Sequence, residues 1–158
     1  MTNLAKARLL ALILPTALLA GALGSQYLGG LYPCEMCHWQ RWPHYAAVAV
    51  ALVAILARNS ALSRPLTLLA ALLILGSGAT GIFHAGVEYG WWEGLTRCAS
   101  AGVGGSTADV LAEIMATPMI RCDAVQWSLF GISLAGWNAL FSILGGSAIV
   151  ALCLKRPR

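Results

Sequence analysis

Residues 66–87 read LTLLAALLILGSGATGIFHAGV, a run of 22 residues without Asp, Glu, Lys or Arg. A hydrocarbon core about 30 Å thick needs about 20 apolar helical residues to cross it. This stretch therefore predicts a membrane-spanning helix. The composition agrees, because the chain of 158 residues is 59% hydrophobic and only 10% charged, with a mean hydropathy of +0.75. Such values are too apolar for an ordinary soluble domain.

Three further apolar runs accompany this one, at residues 9–27, 42–57 and 130–154. Four runs of this kind predict an all-α membrane protein, a four-transmembrane-helix bundle embedded in the lipid bilayer. No change in composition along the chain marks a domain boundary. We therefore predict a single integral membrane domain over residues 1–158.

Two loops join the predicted spans on one side, at about residues 28–41 and 88–127. In the longer one, a Ser-Thr-Ala-Asp sequence offers a helix N-cap with an acidic residue in the first turn. Apolar side chains of residues 110–115 follow at helical spacing. They predict a short amphipathic surface helix in this second outer loop, lying on the bilayer or on the end of the bundle.

Basic residues lie mostly on one side of the four-span arrangement: Lys6, Arg8, Arg58, Arg64, Lys155, Arg156 and Arg158. The positive-inside rule makes that side cytoplasmic. Both termini then face the cytoplasm, and both outer loops lie on the opposite side of the membrane. The formal net charge of +4 comes from basic residues scattered in ones and twos. That scatter does not form a phosphate-binding face, so no nucleic-acid partner is predicted.

Four of the five cysteines fall in the outer loops, namely Cys34, Cys37, Cys98 and Cys122, whereas Cys153 ends the last span. Thiols outside the cytoplasm meet an oxidising compartment, so two disulfides are the simplest expectation. Four cysteines permit three pairings, and the sequence leaves them open. A zinc site would normally bring two short-spaced cysteine pairs. Because Cys98 and Cys122 are far apart, no metal is predicted.

The Cys34 and Cys37 pair has the spacing of a redox-active CxxC motif. A disulfide that closes so short a loop constrains the unfolded chain least, so reactivity explains the pair better than stability does. A helix beginning nearby and Arg41, four residues after Cys37, would both favour the reactive thiolate. His84, near the end of the third span and close to Glu88, is a candidate lining residue for such a site.

The motifs occur in a characteristic order: the CxxC of Cys34 and Cys37, Arg41, then Cys98, then Cys122 with Gln126-Trp127 behind it. In this order and over essentially its full length, the chain resembles the DsbB disulfide-bond formation proteins of bacterial inner membranes. The resemblance implies a multi-pass inner-membrane enzyme, a protein-dithiol:quinone oxidoreductase that generates disulfides. Its cysteine-bearing loops would then lie in the periplasm.

The resemblance also implies an electron relay. A DsbA-like periplasmic thiol oxidoreductase would pass two electrons to a Cys98–Cys122 disulfide, with Cys98 forming the mixed disulfide. The electrons would continue to the Cys34 and Cys37 pair and then to a membrane quinone, ubiquinone or menaquinone. By the same match, Arg41 would bind the quinone and Cys37 would be the thiolate that meets it. His84 is carried over as a quinone-binding residue on a looser match.

Two other interpretations stay open from the residues alone. A quinone reductase of the vitamin K epoxide reductase type also combines four helices with two cysteine pairs, although its CxxC is expected on a late span. The second is a non-enzymatic four-helix membrane protein with two structural disulfides. A structural disulfide would resist a reduced thiol protein, whereas an enzyme would exchange with it.

Overall fold

The structure is a computed structural model that describes residues 2–95 and 120–155. These residues form four long helices: α1 (Asn3–Tyr27), α2 (Glu35–Leu56), α3 (Ser63–Glu88) and α4 (Leu134–Leu154). They also form one short hairpin of two strands, β1 (Ser128–Leu129) and β2 (Ile132–Ser133). Cys98 and the surface helix predicted at residues 110–115 lie outside the described residues.

Three of these helices, α1, α3 and α4, are long and apolar enough to cross a membrane. The prediction of an all-helical membrane protein with four helices is confirmed to that extent. Helix α2 falls short because its first two turns carry Glu35, His38, Gln40 and Arg41. These side chains lower the mean hydropathy of the helix, so a fourth membrane span stays a prediction.

Helix α2 begins at Glu35, earlier than the span predicted from about residue 42. Cys34 is the N-cap, with extended backbone, and its sulfur accepts a hydrogen bond of 3.3 Å from the backbone N–H of Cys37. The acidic Glu35 in the first turn complements the positive end of the helix dipole. The loop after α1 is therefore shorter than predicted, and the CxxC motif forms the first turn of a helix.

Helix α4 begins at Leu134, a few residues after the predicted start at 130, because a hairpin comes first. Ser128 pairs with Ser133 in an antiparallel register. The turn residues Phe130 and Gly131 have φ angles of 52° and 77°, the positive values that a tight two-residue hairpin turn requires. This turn delays the helix, and Ser133 then caps α4 by accepting a hydrogen bond from the Gly136 N–H.

The helices pack through small side chains. Buried alanines, among them Ala7, Ala47 and Ala70, form the centre of the bundle together with Ile74 and Ile149. Small residues at helix contacts allow backbones to approach closely, which is the usual way that membrane helices associate. Many large apolar side chains instead point outward, including Leu72 and Leu144. An apolar outer surface of this kind suits a bundle surrounded by lipid.

Candidate functional site

A cavity of about 220 Å³ lies at the end of the bundle where α1 and α3 finish and α2 and α4 begin. Most of its wall is apolar. Polar and reactive side chains also line it: Cys34, Cys37, Gln40, Arg41 and His44 from α2 and its cap, His84 and Glu88 from α3, Asn138 from α4, Ser25 from α1, and Arg121 and Gln126 from the segment before the hairpin. The aromatic side chains of Trp127 and Trp137 form another part of the cavity wall. The cavity thus joins an apolar groove to a cluster of reactive and polar side chains.

The two cysteines of the CxxC motif are free thiols in contact, with their sulfurs 2.9 Å apart. Cys34 is buried, whereas Cys37 is partly exposed. Both precede the apolar part of α2. The hydrogen bond between the two thiols raises the pKa of Cys34, and burial adds to the increase. The same hydrogen bond lowers the pKa of Cys37, with Arg41 adding to the decrease, so Cys37 is the thiol that ionises first.

His84 lies beside the buried thiol, at the C-terminal end of α3. Its Nε2 is 3.5 Å from the sulfur of Cys34 and 3.8 Å from a carboxylate oxygen of Glu88. Its other ring nitrogen, Nδ1, lies 2.8 Å from the side-chain nitrogen of Gln40. The second carboxylate oxygen of Glu88 is buried without a partner among the described residues. The imidazole therefore connects the dithiol to the interior of the bundle.

Cys122 comes from the segment before the hairpin, yet it packs against the CxxC motif. The sulfurs of Cys34 and Cys122 and a ring nitrogen of His84 all lie within 4.8 Å of one another. Within the described ranges, these atoms are the group that could hold a thiophilic metal ion. Their spacing also brings cysteines of two different loops close enough to exchange a disulfide after small movements.

Arg41 lines the cavity from α2 and links it to α1. One guanidinium nitrogen donates to the side-chain oxygen of Gln26, and the other terminal nitrogen donates to the Ala22 carbonyl, 3.0 Å away. A guanidinium has five N–H groups, so others remain to meet a ligand in the cavity. Arg41 thereby places a permanent positive charge near the partly exposed thiol Cys37.

A buried polar network extends the site into the bundle, and the sequence analysis did not single out its members. Gln40 and His44 from α2 meet Ser77 from α3 and Asn138 and Ser142 from α4. All five side chains are largely or fully buried. A polar side chain within a predicted membrane span often indicates a functional site. Asn138, inside the fourth apolar run, could have been recognised in the sequence on this ground.

Comparison with known proteins identifies the family. The family model described as "Disulfide bond formation protein DsbB" matches residues 5–152. A protein of Verminephrobacter eiseniae named "Disulfide bond formation protein B" is 37% identical over 90% of this chain and 81% of its own length. A protein of the same name from Polaromonas naphthalenivorans is 32% identical, covering 96% of this chain and 94% of the relative. This chain belongs to the DsbB family.

No solved structure matches the chain. Membership of the DsbB family, together with three apolar helices of sufficient length, makes this a membrane protein of disulfide bond formation, and the family name implies an oxidoreductase. The resemblance to this family stated from the motifs is confirmed.

The structure gathers most of the site residues predicted for this DsbB-family chain. Cys34, Cys37, Arg41 and His84 line the cavity. Cys122 adjoins Cys34, and Cys98 lies outside the described residues. Gln126, from the predicted Gln-Trp motif, donates a hydrogen bond of 2.9 Å to the Tyr32 carbonyl and ties the two loop segments together.

Proposed function

We propose that this DsbB-family protein reoxidises a DsbA-like periplasmic dithiol protein and passes the electrons to a membrane quinone. The observation that carries the proposal is the placement of Cys122 against Cys34, beside a cavity that also holds Cys37 and Arg41. The cysteines that would exchange disulfides therefore adjoin an apolar cavity that can hold an electron acceptor. The reaction class is protein-dithiol:quinone oxidoreduction, in which a disulfide is generated and then transferred to other proteins by thiol–disulfide exchange.

The first steps are thiol–disulfide exchanges. The thiolate of the reduced partner attacks Cys98 of a Cys98–Cys122 disulfide, which releases the thiolate of Cys122. That thiolate attacks Cys34 of a Cys34–Cys37 disulfide: the Cys122–Cys34 bond forms, the Cys34–Cys37 bond breaks and Cys37 leaves as a thiolate. A thiol of low pKa leaves fastest, and Cys37 has the lower pKa of the pair.

A second exchange returns the electrons to the CxxC pair. The partner's remaining thiolate attacks the mixed disulfide and leaves with a new disulfide, which frees Cys98. Cys98 then attacks Cys122, and Cys34 is released. The Cys98–Cys122 disulfide is restored while Cys34 and Cys37 are both reduced. Two electrons and two protons then leave this dithiol as its disulfide re-forms.

The cavity suits a quinone as the acceptor of those electrons. An apolar cavity of about 150 Å³ already holds a benzene-sized ring, and this one measures about 220 Å³. Arg41 offers N–H donors for a ring oxygen, and His44 has a ring nitrogen, Nδ1, without a partner in the described part of the chain. When bound, ubiquinone or menaquinone would accept two electrons and two protons. A DsbA-like oxidant has a potential near about −120 mV, so only a strong acceptor of this kind can reoxidise it.

The proposed reaction requires a particular orientation in the inner membrane. The apolar part of helix α2, from about residue 42, acts as the fourth span, residues 1–158 form one integral membrane domain, and both termini face the cytoplasm. The N-terminal end of α2, with Cys34 and Cys37, and the loop that carries Cys98 and Cys122 then face the periplasm. The basic residues near the opposite ends of the helices support this orientation.

The test mixes the purified protein in detergent with a reduced DsbA-like protein and a short-chain ubiquinone analogue, and it follows the ultraviolet absorbance of the quinone. We expect loss of the quinone band at a rate that depends on the DsbA-like protein. Cys34→Ser, Cys37→Ser and Cys98→Ser should each abolish turnover. Cys153→Ser is the matched control, because this buried thiol of α4 lies outside the cavity lining.

Two results would contradict the proposal. Turnover by Cys37→Ser at the unmodified rate would exclude the CxxC pair from the electron route. If properly folded protein with intact disulfides consumed no quinone, the chain would instead be a bundle with structural disulfides. Arg41→Ala should raise the quinone KM while preserving thiol exchange, and an unchanged KM would remove Arg41 from the quinone site.

A further inference from the structure

In the buried network, Gln40, Ser77, Asn138 and Ser142 take no part in the proposed electron route, although Gln40 contacts the site residue His84. Gln40 is 6% exposed and His84 is 2% exposed. Burying so many polar groups costs free energy unless each is hydrogen-bonded in a defined direction. The contacts determine the direction of the hydrogen bonds that Gln40 and Asn138 make.

Backbone carbonyls set the orientation of both amide side chains. The side-chain nitrogen of Gln40 lies 3.1 Å from the Met36 carbonyl, which can only accept. The side-chain nitrogen of Asn138 lies 3.4 Å from the Ser77 carbonyl and 2.9 Å from the side-chain oxygen of Gln40. Turning either amide over would set oxygen against oxygen in at least one of these contacts. Both amides therefore donate in a single direction, from α4 to α2 and onward.

This direction decides where His84 carries its proton. The nitrogen of Gln40 donates to Nδ1 of His84 across 2.8 Å, so the neutral ring has its hydrogen on Nε2. That N–H lies on the side of the ring that faces Cys34, whose sulfur is 3.5 Å from Nε2. A ring nitrogen of His84 and the sulfurs of Cys34 and Cys122 also lie within 4.8 Å of one another. Because Nδ1 is already an acceptor, Nε2–H is the donor that the ring can offer to these sulfurs.

We propose that Gln40 and Asn138 are positioning residues. By holding His84 as the Nε2–H tautomer, they make it a hydrogen-bond donor to the sulfurs of Cys34 and Cys122 and favour the pairing of these two sulfurs. The opposite tautomer would present a lone pair to the sulfurs and repel an approaching thiolate. This inference rests on the proposed relay, since its consequence is the exchange in which Cys122 attacks Cys34 and Cys37 leaves.

The test uses isosteric substitutions that remove one hydrogen bond each. Gln40→Met keeps the length of the side chain but no longer donates to His84, so both tautomers become accessible. Asn138→Leu frees the side-chain oxygen of Gln40 and acts one step further away. Thr67→Val is the matched control, because Thr67 is a buried polar residue of α3 whose hydroxyl, among the residues that the structure describes, bonds only within its own helix.

Two measurements follow each variant. The ¹⁵N chemical shifts of the His84 ring report the tautomer, and in the unmodified protein we expect the hydrogen on Nε2. Equilibration with glutathione buffers, acid quenching and peptide mass spectrometry report the ratio of the Cys34–Cys122 to the Cys34–Cys37 disulfide. We expect Gln40→Met to lower this ratio about fivefold, the factor that one neutral hydrogen bond contributes. Asn138→Leu should lower it less, and Thr67→Val should leave it unchanged.

The outcomes separate the inference from the proposed function. A His84 ring protonated on Nδ1 in the unmodified protein would overturn the inference, as would an unchanged disulfide ratio in folded Gln40→Met. If the unmodified protein formed no Cys34–Cys122 disulfide at any glutathione ratio, the relay through Cys122 would fail. The measured tautomer needs no variant, so it decides the role of Gln40 even if both substitutions prevent folding.

Discussion

Two cysteines three positions apart acquire different chemistry in this chain because of where each lies on α2. Cys34 is the N-cap and is enclosed by His84, Met36 and Cys122. Cys37 follows one turn later, partly exposed, on the face that carries Arg41. Burial keeps a thiol neutral, whereas a hydrogen-bond donor and a cation favour the thiolate. The pair is thus divided into one sulfur with a raised pKa and one with a lowered pKa.

This division predicts the pH dependence of alkylation in the reduced protein. The pKa of Cys37 is lowered, chiefly by the hydrogen bond from Cys34 and then by Arg41. A thiol with a lowered pKa stays deprotonated at lower pH, so iodoacetamide should already modify Cys37 at pH values below about 8.5, the ordinary cysteine pKa. Cys34 should react only at higher pH. Peptide mass spectrometry after timed quenching measures both rates.

Arg41→Ala serves as the comparison in that experiment. Without the guanidinium, the profile of Cys37 should move toward higher pH, while Glu88 continues to oppose ionisation. Equal alkylation profiles for Cys34 and Cys37 would show that the two sulfurs share one environment.

A prediction about Cys122 also belongs to the residue scale. In Cys122→Ser, Cys98 has lost its disulfide partner and is a free thiol. It can attack the disulfide of an oxidised DsbA-like protein, which forms a mixed disulfide and releases one thiolate of that protein, and no Cys122 is present to displace Cys98 from the mixed disulfide. We therefore expect a stable mixed disulfide through Cys98, visible as a shifted band on a non-reducing gel and assigned by peptide mass spectrometry. A mixed disulfide through Cys34 would instead reverse the order of the two cysteine pairs in the relay.

At the scale of elements, the site depends on how closely α3 and α4 approach. A Cβ atom at Gly81 would lie 3.0 Å from the Ala135 carbonyl oxygen and 3.1 Å from the Ala139 nitrogen. Both are backbone atoms, which cannot move aside as a flexible side chain would. The same contact holds Asn138 against Ser77, so the helix spacing and the polar network depend on one another.

We predict that Gly81→Val destabilises the protein, whereas Gly76→Ala on the same helix is tolerated. Nothing lies within 4 Å of a Cβ atom built at Gly76. Overpacking at Gly81 should cost about 1–3 kcal/mol of the free energy of unfolding. Thermal denaturation in detergent, followed by circular dichroism, measures both variants. Equal melting temperatures for Gly81→Val and the unmodified protein would show that α3 and α4 are not in close contact there.

The hairpin before α4 is a second element that positions the site. The Tyr89 hydroxyl accepts a hydrogen bond from the Ser133 N–H and donates one to the Gly131 carbonyl. These bonds tie the end of α3 to the start of α4. Leu134, Ala135 and Asn138 therefore enter the cavity wall from the first turns of α4.

For the whole molecule, the central prediction is that α2 crosses the membrane. Truncated fusions to green fluorescent protein and to alkaline phosphatase test it, because the first fluoresces in the cytoplasm and the second is active in the periplasm. A fusion after Ser60, between α2 and α3, should be fluorescent and lack phosphatase activity. A fusion after Gly90, beyond α3, should show the reverse. If α2 did not span the membrane, the two results would be exchanged.

Much of the helical architecture was predictable from the sequence, because apolar runs such as residues 66–87 have no stable alternative to a buried or lipid-facing helix. The family and the CxxC motif were also predictable from the sequence, since both depend on the order of residues along the chain. The start of α2 was not predictable, because the polar residues 35–41 lower the hydropathy by which a membrane span is recognised. Their helical state is stabilised by the cap at Cys34 and by packing.

Tertiary structure alone decided which side chains meet. The sequence left the cysteine pairing open, and only the packing of the segment before the hairpin brings Cys122 within reach of Cys34. The packing of the helices likewise places Gln40, His84 and Asn138, which lie on three different helices, in one continuous series of hydrogen bonds. The apolar periodicity of a helix determines that it is buried, whereas the direction of a buried hydrogen bond depends on partners that are distant in sequence.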